Sequence, residues 1–164
     1  MENNLTLLIE LIQQEAIIIE NFVHSEDLKY KSFCGFLLKY GQAYPKKIKR
    51  TFTGEERQCF RNCTIGILEN KNLIYCEGYA INQIFPFKTH HAWLINELGE
   101  VIDPTWDNED GIDNAYFGIA FKPDFVCKIA NKTKHYGVLT NERLLRGFLR
   151  NGLPKNSYLA KDSL

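Results

Sequence analysis

The period of the apolar pattern changes near residue 70 of this chain, and that change limits the folds open to it. Up to about residue 69, apolar side chains recur at helical spacing; from Leu73 onward they gather in short aromatic and β-rich runs. Leu5, Leu8, Ile9, Ile12, Ala16, Ile19 and Val23 form one amphipathic stripe that predicts a helix packed on the domain. Leu28, Phe33, Phe36 and Leu37 predict a second helix over roughly 26–40, with Gly41 as its stop. Residues 42–53 read as a loop. Thr53 followed by Glu56 fits a capping box and predicts a third helix reaching about residue 69, burying Phe60, Cys63, Ile67 and Leu68. Strands are predicted over 73–81, 91–95, 100–103 and 116–121, and a last helix over 141–150 that ends at Gly152-Leu153-Pro154. Helices followed by an antiparallel run of strands define an α+β class. One domain over 1–164 is expected, with helices in 1–50, a core in 51–125 and a C-terminal strand or helix and tail in 126–164.

Composition removes several functions. The 164 residues carry 20 Lys plus Arg against 20 Asp plus Glu, so the basic excess of a phosphate-binding protein is missing and no nucleic-acid partner is expected. At 45% hydrophobic residues the chain is too apolar to stay disordered. Residues 5–23 are rich in Leu and Ile, but Glu10, Glu15 and Glu20 interrupt them. Each charge at a bilayer centre costs about 2.5–3.5 kcal/mol, so neither a membrane span nor a membrane partner is expected. The only early charge is Glu2, which does not make the basic start of a signal peptide. Five cysteines, an odd number without a repeated short spacing, do not describe a disulfide framework. A reducing, cytoplasmic compartment with free thiols fits better, with export as an effector left open.

The chemistry concentrates between residues 58 and 118. A nucleophilic thiol needs a base, and the base needs an orienting acceptor. Cys59, His91 and Asp103 supply those types in that order. Cys59 falls near the start of a helix, where the dipole favours thiolate. His91 and Asp103 fall on two strands joined around Gly99, which makes their meeting a question of register. Side chains alternate along a strand, so a connecting loop with an odd residue count keeps both on one face. A loop centred on Glu97 sets His91 opposite Asp103, and one centred on Leu98 makes them diagonal neighbours. An even loop separates them. Gly99 suits the left-handed last position of a three-residue loop, which favours the odd case.

His91-Ala92-Trp93 followed by Asp103-Pro104-Thr105, after the strand Gly78-Tyr79-Ala80 and the upstream Cys59, resembles the transglutaminase-like superfamily of papain-type thiol enzymes. The likeness covers roughly residues 55–121. It implies Cys59 as nucleophile, His91 as general base and Asp103 as its orienting partner, with the cysteine opening a helix packed against an antiparallel sheet. Such families hold proteases, transglutaminases, protein deamidases and inactive scaffolds. The implied partner is therefore a protein or peptide, attacked at a Gln side chain or amide bond, or a small amide. No metal or organic cofactor is implied. Gln58 and Phe60 flank the cysteine here, where many relatives carry Trp or Gly. For the oxyanion, the Cys59 backbone amide is one donor, and the resemblance offers the Gln42 side chain, ahead of Gln58, as the second.

Simpler roles compete for some of these residues. Cys34, Cys63, Cys76 and Cys127 read as core thiols, although Cys63, four residues after Cys59, could resolve a disulfide. A zinc cluster of Cys59, Cys63, Cys76 and His90 lacks knuckle spacing. An inactive binding protein on the same fold is the other alternative. His90 is expected on the strand face opposite His91, and Trp93 and Tyr79 in the core, while Trp106 could line a cleft. Residues 97–113 hold seven carboxylates and no base, yet counting back from Gly111 places Trp106 where an EF-hand needs Asp. Residues 39–61 hold seven basic and two acidic side chains, so a dipolar surface is expected around the site.

Overall fold

The computed structural model describes residues 3–45, 47–82, 84, 86–106 and 114–160. Asn3 starts α1 (Asn4–Phe22) by accepting the Leu5 amide at 2.9 Å. Leu8, Ile12 and Ala16 are buried, and α1 packs on a second helix and on the sheet. The expected stripe stops there. Ile19 is 40% exposed and Phe22 78%, because the last turn of α1 runs past the core.

The second helix, α2 (Phe33–Tyr40), is half the predicted length. Tertiary bonds claim the residues before it. Tyr30 donates its amide to the Leu149 carbonyl, and Ser32 caps the Gly35 amide while donating to Glu20. After Gly41 the chain forms a strand, β1 (Gln42–Tyr44), where a loop was expected. A Cβ on Gly41 would lie 2.9 Å from the Gly118 carbonyl oxygen, so only glycine admits this close approach.

The third helix, α3 (Cys59–Glu69), begins five residues later than the capping box predicted, with Gln58 rather than Thr53 at its N-cap. Asn62, inside the helix, overrides that local signal. Its Oδ1 accepts the Glu55 amide, and its Nδ2 donates to the Glu55 carbonyl and to Thr105 Oγ1. The Gly54 amide donates to the Pro104 carbonyl at 2.7 Å. Residues 54–55 are thereby fastened to residues 104–105 and cannot join the helix.

The remaining strands are β2 (Ile74–Ile81), β3 (Thr89–Ile95), β4 (Val101–Ile102) and β5 (Ala115–Phe121), in the antiparallel order β1-β5-β2-β3-β4. The sheet curls until its edges meet: Lys47 bridges Val101, and the Ile48 amide donates to the Val101 carbonyl. Two helices complete the element order, α4 (Pro123–Thr133), with its proline in the first turn, and α5 (Glu142–Asn151), capped by Asn141.

The curl separates two cores. Inside lie Tyr44, Cys76, Ala80, Trp93, Ile95, Val101, Tyr116 and Ala120. Outside, the sheet meets α1, α3 and α4 through residues such as Tyr75, Ala92, Leu94 and Ile119. Gly78 and Gly118 face each other across β2 and β5, and a Cβ on Gly118 would meet the Trp93 ring at 2.7 Å. The bare backbone there lets the indole lie across the interior. The architecture is mixed α/β, with helices on a curled antiparallel five-stranded sheet.

Candidate active site

The β3–β4 hairpin pairs Leu94 with Ile102 and Ile95 with Val101, which centres its loop on Leu98. The Gly99 amide donates to the Asn96 carbonyl, and Gly99 is left-handed at φ +72°. The odd loop is thus present in its second form, with Asp103 diagonal to His91. Their side chains meet, His91 Nε2 lying 2.8 Å from Asp103 Oδ2.

Asp103 is fully buried, and its acceptor sites are filled. Tyr116 donates its hydroxyl to Oδ2 at 2.9 Å, while the Thr105 and Trp106 amides donate to Oδ1 at 2.9 and 3.0 Å. The Asp-Pro-Thr-Trp sequence explains this locally: Asp103 folds its side chain onto the amides two and three residues on, and the intervening proline has no N–H to compete. Burial alone would raise the Asp103 pKa. The His91 charge and hydrogen bond and the two amides outweigh it and hold the carboxyl below its usual range.

His91 is 2% exposed. Burial pushes its pKa down, but the Asp103 charge and hydrogen bond, with a smaller contribution from Cys59, raise it to about 9. With Nε2 on Asp103, Nδ1 is the ring nitrogen left for the Cys59 thiol, whose interaction with the imidazole is among the causes of the raised His91 pKa. Trp106 stacks on the same ring at 4.1 Å between centroids, with 16° between planes.

Cys59 is the first residue of α3, preceded by Gln58, and no side chain caps the helix. The partial positive charge of the first-turn amides at Cys59 is therefore uncompensated by a cap. A cleft of about 510 Å³ exposes the set, lined by Cys59, His91, Thr105, Trp106, His90 and Phe60 among others. A larger surface hollow on α5 is lined by Arg143, Arg146 and Arg150 and holds none of these residues.

Neither glutamine lines the cleft. Gln42 sits on β1 beside Gly118, with its side chain toward the Tyr44 hydroxyl, and Gln58 is an exposed N-cap residue. Of the other cysteines, Cys34, Cys63 and Cys76 are buried core thiols as expected, whereas Cys127 on α4 is only partly buried. Burial pushes the thiols of Cys63 and Cys76 up strongly, and burial together with Glu15 raises Cys34 to about 12. All five cysteines are unpaired. Cys76 points to the interior and Cys63 to the outer core, so the proposed zinc set does not assemble. Among the described residues no group of three His, Cys, Asp or Glu side chains could hold a metal ion.

Two contributors escaped sequence reading. Asn62 carries no motif, yet it ties the segment before Cys59 to the one after Asp103. His90 does lie on the opposite strand face from His91, but it reaches the same cleft near the start of β3. Of the charged runs, Lys46 and residues 107–113 with Gly111 lie outside the described residues, and Lys47 packs over the Tyr116 ring. Among the described residues no helix is long and apolar enough to cross a membrane.

Comparison with known proteins returns no match: no family model fits the chain, and no curated protein or solved structure is similar to it.

Proposed function

We propose that this chain is a thiol-dependent amide hydrolase or acyltransferase of the transglutaminase-like, papain-type class. The observation that carries the reading is the Cys59–His91–Asp103 chain of contacts, opening on a cleft at the uncapped start of α3. Cys59 gives its proton to His91, and the thiolate adds to the carbonyl carbon of an amide. Negative charge on the carbonyl oxygen is met by the Cys59 backbone amide; one such donor is worth about 2.7–4 kcal/mol in the transition state. His91, held as imidazolium by Asp103, then protonates the departing amine or ammonia as the C–N bond breaks. Water or an amine resolves the acyl-thioester, giving hydrolysis, deamidation or acyl transfer. The substrate class is a protein or peptide amide, a Gln side chain included, or a small amide. These steps require no metal or organic cofactor. The five unpaired thiols suit a reducing compartment.

The test is alkylation by iodoacetamide at neutral pH, with the modified residue located by mass spectrometry. Cys59 should label faster than the other four thiols, and His91→Ala should slow it at least about 10-fold, since the base assists thiolate formation. Labelling at Cys59 that is no faster than at Cys127 and is unchanged by His91→Ala would sink the proposal.

A further inference from the structure

The last helix, α5, sorts its side chains onto two faces. Phe148 is buried, and Leu144, Leu145 and Leu149 pack against the outer core. On the other side Arg143, Arg146 and Arg150 are exposed around Gly147. At 3.6 residues per turn these positions fall within an arc of about 100°, and the arginines span about 10 Å along the axis. They line a surface hollow of about 550 Å³, with Glu142 at its upstream end.

Among the described residues neither Arg143 nor Arg146 has a carboxylate at ion-pair distance. Arg150 Nη2 reaches only the Asp27 carboxylate, at 3.9 Å, and Asp27 is 79% exposed, so water competes for both groups. The guanidinium forks therefore keep donors that the fold does not use, and a planar carboxylate is the group such a fork binds best. Gly147 adds a second observation. A helix interior favours alanine over glycine, yet a Cβ there would meet nothing within 4 Å. No neighbour inside the protein needs the missing side chain. What it leaves is bare helix backbone between the charges, over which an outside chain can come close.

We propose that this face of α5 docks an acidic, extended segment of a partner protein, with its carboxylates on the arginines and its backbone across Gly147. A span of about 10 Å matches about three extended residues at about 3.3 Å each. Other polyanions fit the surroundings less well. A phosphate chain binds in proportion to the cations that neutralise it. Here Glu142 bounds the arginines at one end and Asp27 lies beside Arg150, in a chain with no basic excess. A helix that lies on an anionic membrane sets apolar side chains beside its basic ones, whereas those of α5 are turned into the fold. The hollow shares no residue with the Cys59 cleft, so docking here is independent of the thiol chemistry.

The probe is fluorescein-labelled hexaglutamate, titrated with the full chain at low salt and followed by fluorescence anisotropy. Arg143→Gln, Arg146→Gln and Arg150→Gln together should weaken binding at least about 10-fold. Lys71→Gln, Lys128→Gln and Lys132→Gln together remove the same net charge from other exposed positions and should weaken it less than about 2-fold. Gly147→Met, a better helix former, should raise Tm by about 2–4 °C and still weaken binding at least about 3-fold, because it covers the bare backbone. No binding to wild type overturns the proposal, and so do two triple variants that weaken alike. An arginine triple variant that keeps its native circular dichroism and binds like wild type does the same. Gly147→Met that binds as tightly as wild type overturns the seat of the partner backbone. Tighter, arginine-dependent binding of labelled hexathymidylate or of phosphatidylserine vesicles overturns the choice of a protein partner.

Discussion

Two carboxylates with imidazole partners lie on opposite faces of one sheet, and they are built differently. Asp103 receives all its donors from within the candidate site: the His91 ring, the Tyr116 hydroxyl and two amides of its own turn. Glu77 receives three of its contacts from residues that hold the fold together, Tyr75 and the backbone at Val138 and Leu139, and only then His90. The first carboxylate chiefly sets the state of a histidine. The second chiefly fastens the 138–139 segment to β2. Similar groups at similar depth therefore divide their effects between chemistry and stability.

The sharpest way to break this comparison is to neutralise each acid in turn. Asp103→Asn should slow acetylation of Cys59 by p-nitrophenyl acetate about 10²–10⁴-fold, since His91 loses the partner that fixes its tautomer, while its turn amides keep an acceptor. Glu77→Gln should spare acetylation and lower unfolding free energy by about 2–4 kcal/mol, since an amide cannot accept from every donor. Chemical denaturation and acetylation kinetics on both variants check the contrast, and equal stability losses would erase it.

A smaller effect concerns pH. His91 has a folded pKa of about 9, above its unfolded value, so its contribution to stability is complete below about pH 6.5 and fades as pH rises toward 9. Asp103 works at the other end: its carboxyl is held low, so its contribution is present above about pH 4 and is lost on acidification. Thermal unfolding across pH 6–9.5 should show Tm falling in wild type and less so in His91→Gln. The smallest effect is expected from Tyr116→Phe, which removes one donor of four from Asp103 and costs about 1–2 kcal/mol. His91 titration by NMR in that variant would show whether the hydroxyl also tunes the imidazole.

The hairpin was legible because it rests on two local rules, alternation along strands and the left-handed preference of Gly99. Together they set His91 and Asp103 on one face before any tertiary contact is considered. The start of α3 was not legible. Thr53 and Glu56 satisfy a local capping pattern, yet Asn62 binds residue 55 and Thr105 more than forty positions on, and that long-range network prevails. The later start moves Cys59 from inside a helix to its first residue, which suits a nucleophile better. β1 has three residues and no apolar alternation, so only its pairing with β5 reveals it. His90 was set aside on a correct rule: it does face away from His91. Alternation assigns faces, but it does not say that a helix start and the beginning of a strand will share one cleft.

The closure of the curl through Lys47, Ile48 and Val101 has a consequence for the life of the protein in a crowded solution. An open sheet ends in rows of unpaired amides and carbonyls that invite a neighbouring chain to add a strand. Here the terminal strands are three and two residues long, and the chain just beyond β1 is bonded to β4. The aromatic interior that supports His91 is thus enclosed by a sheet with almost no border on which aggregation could be templated.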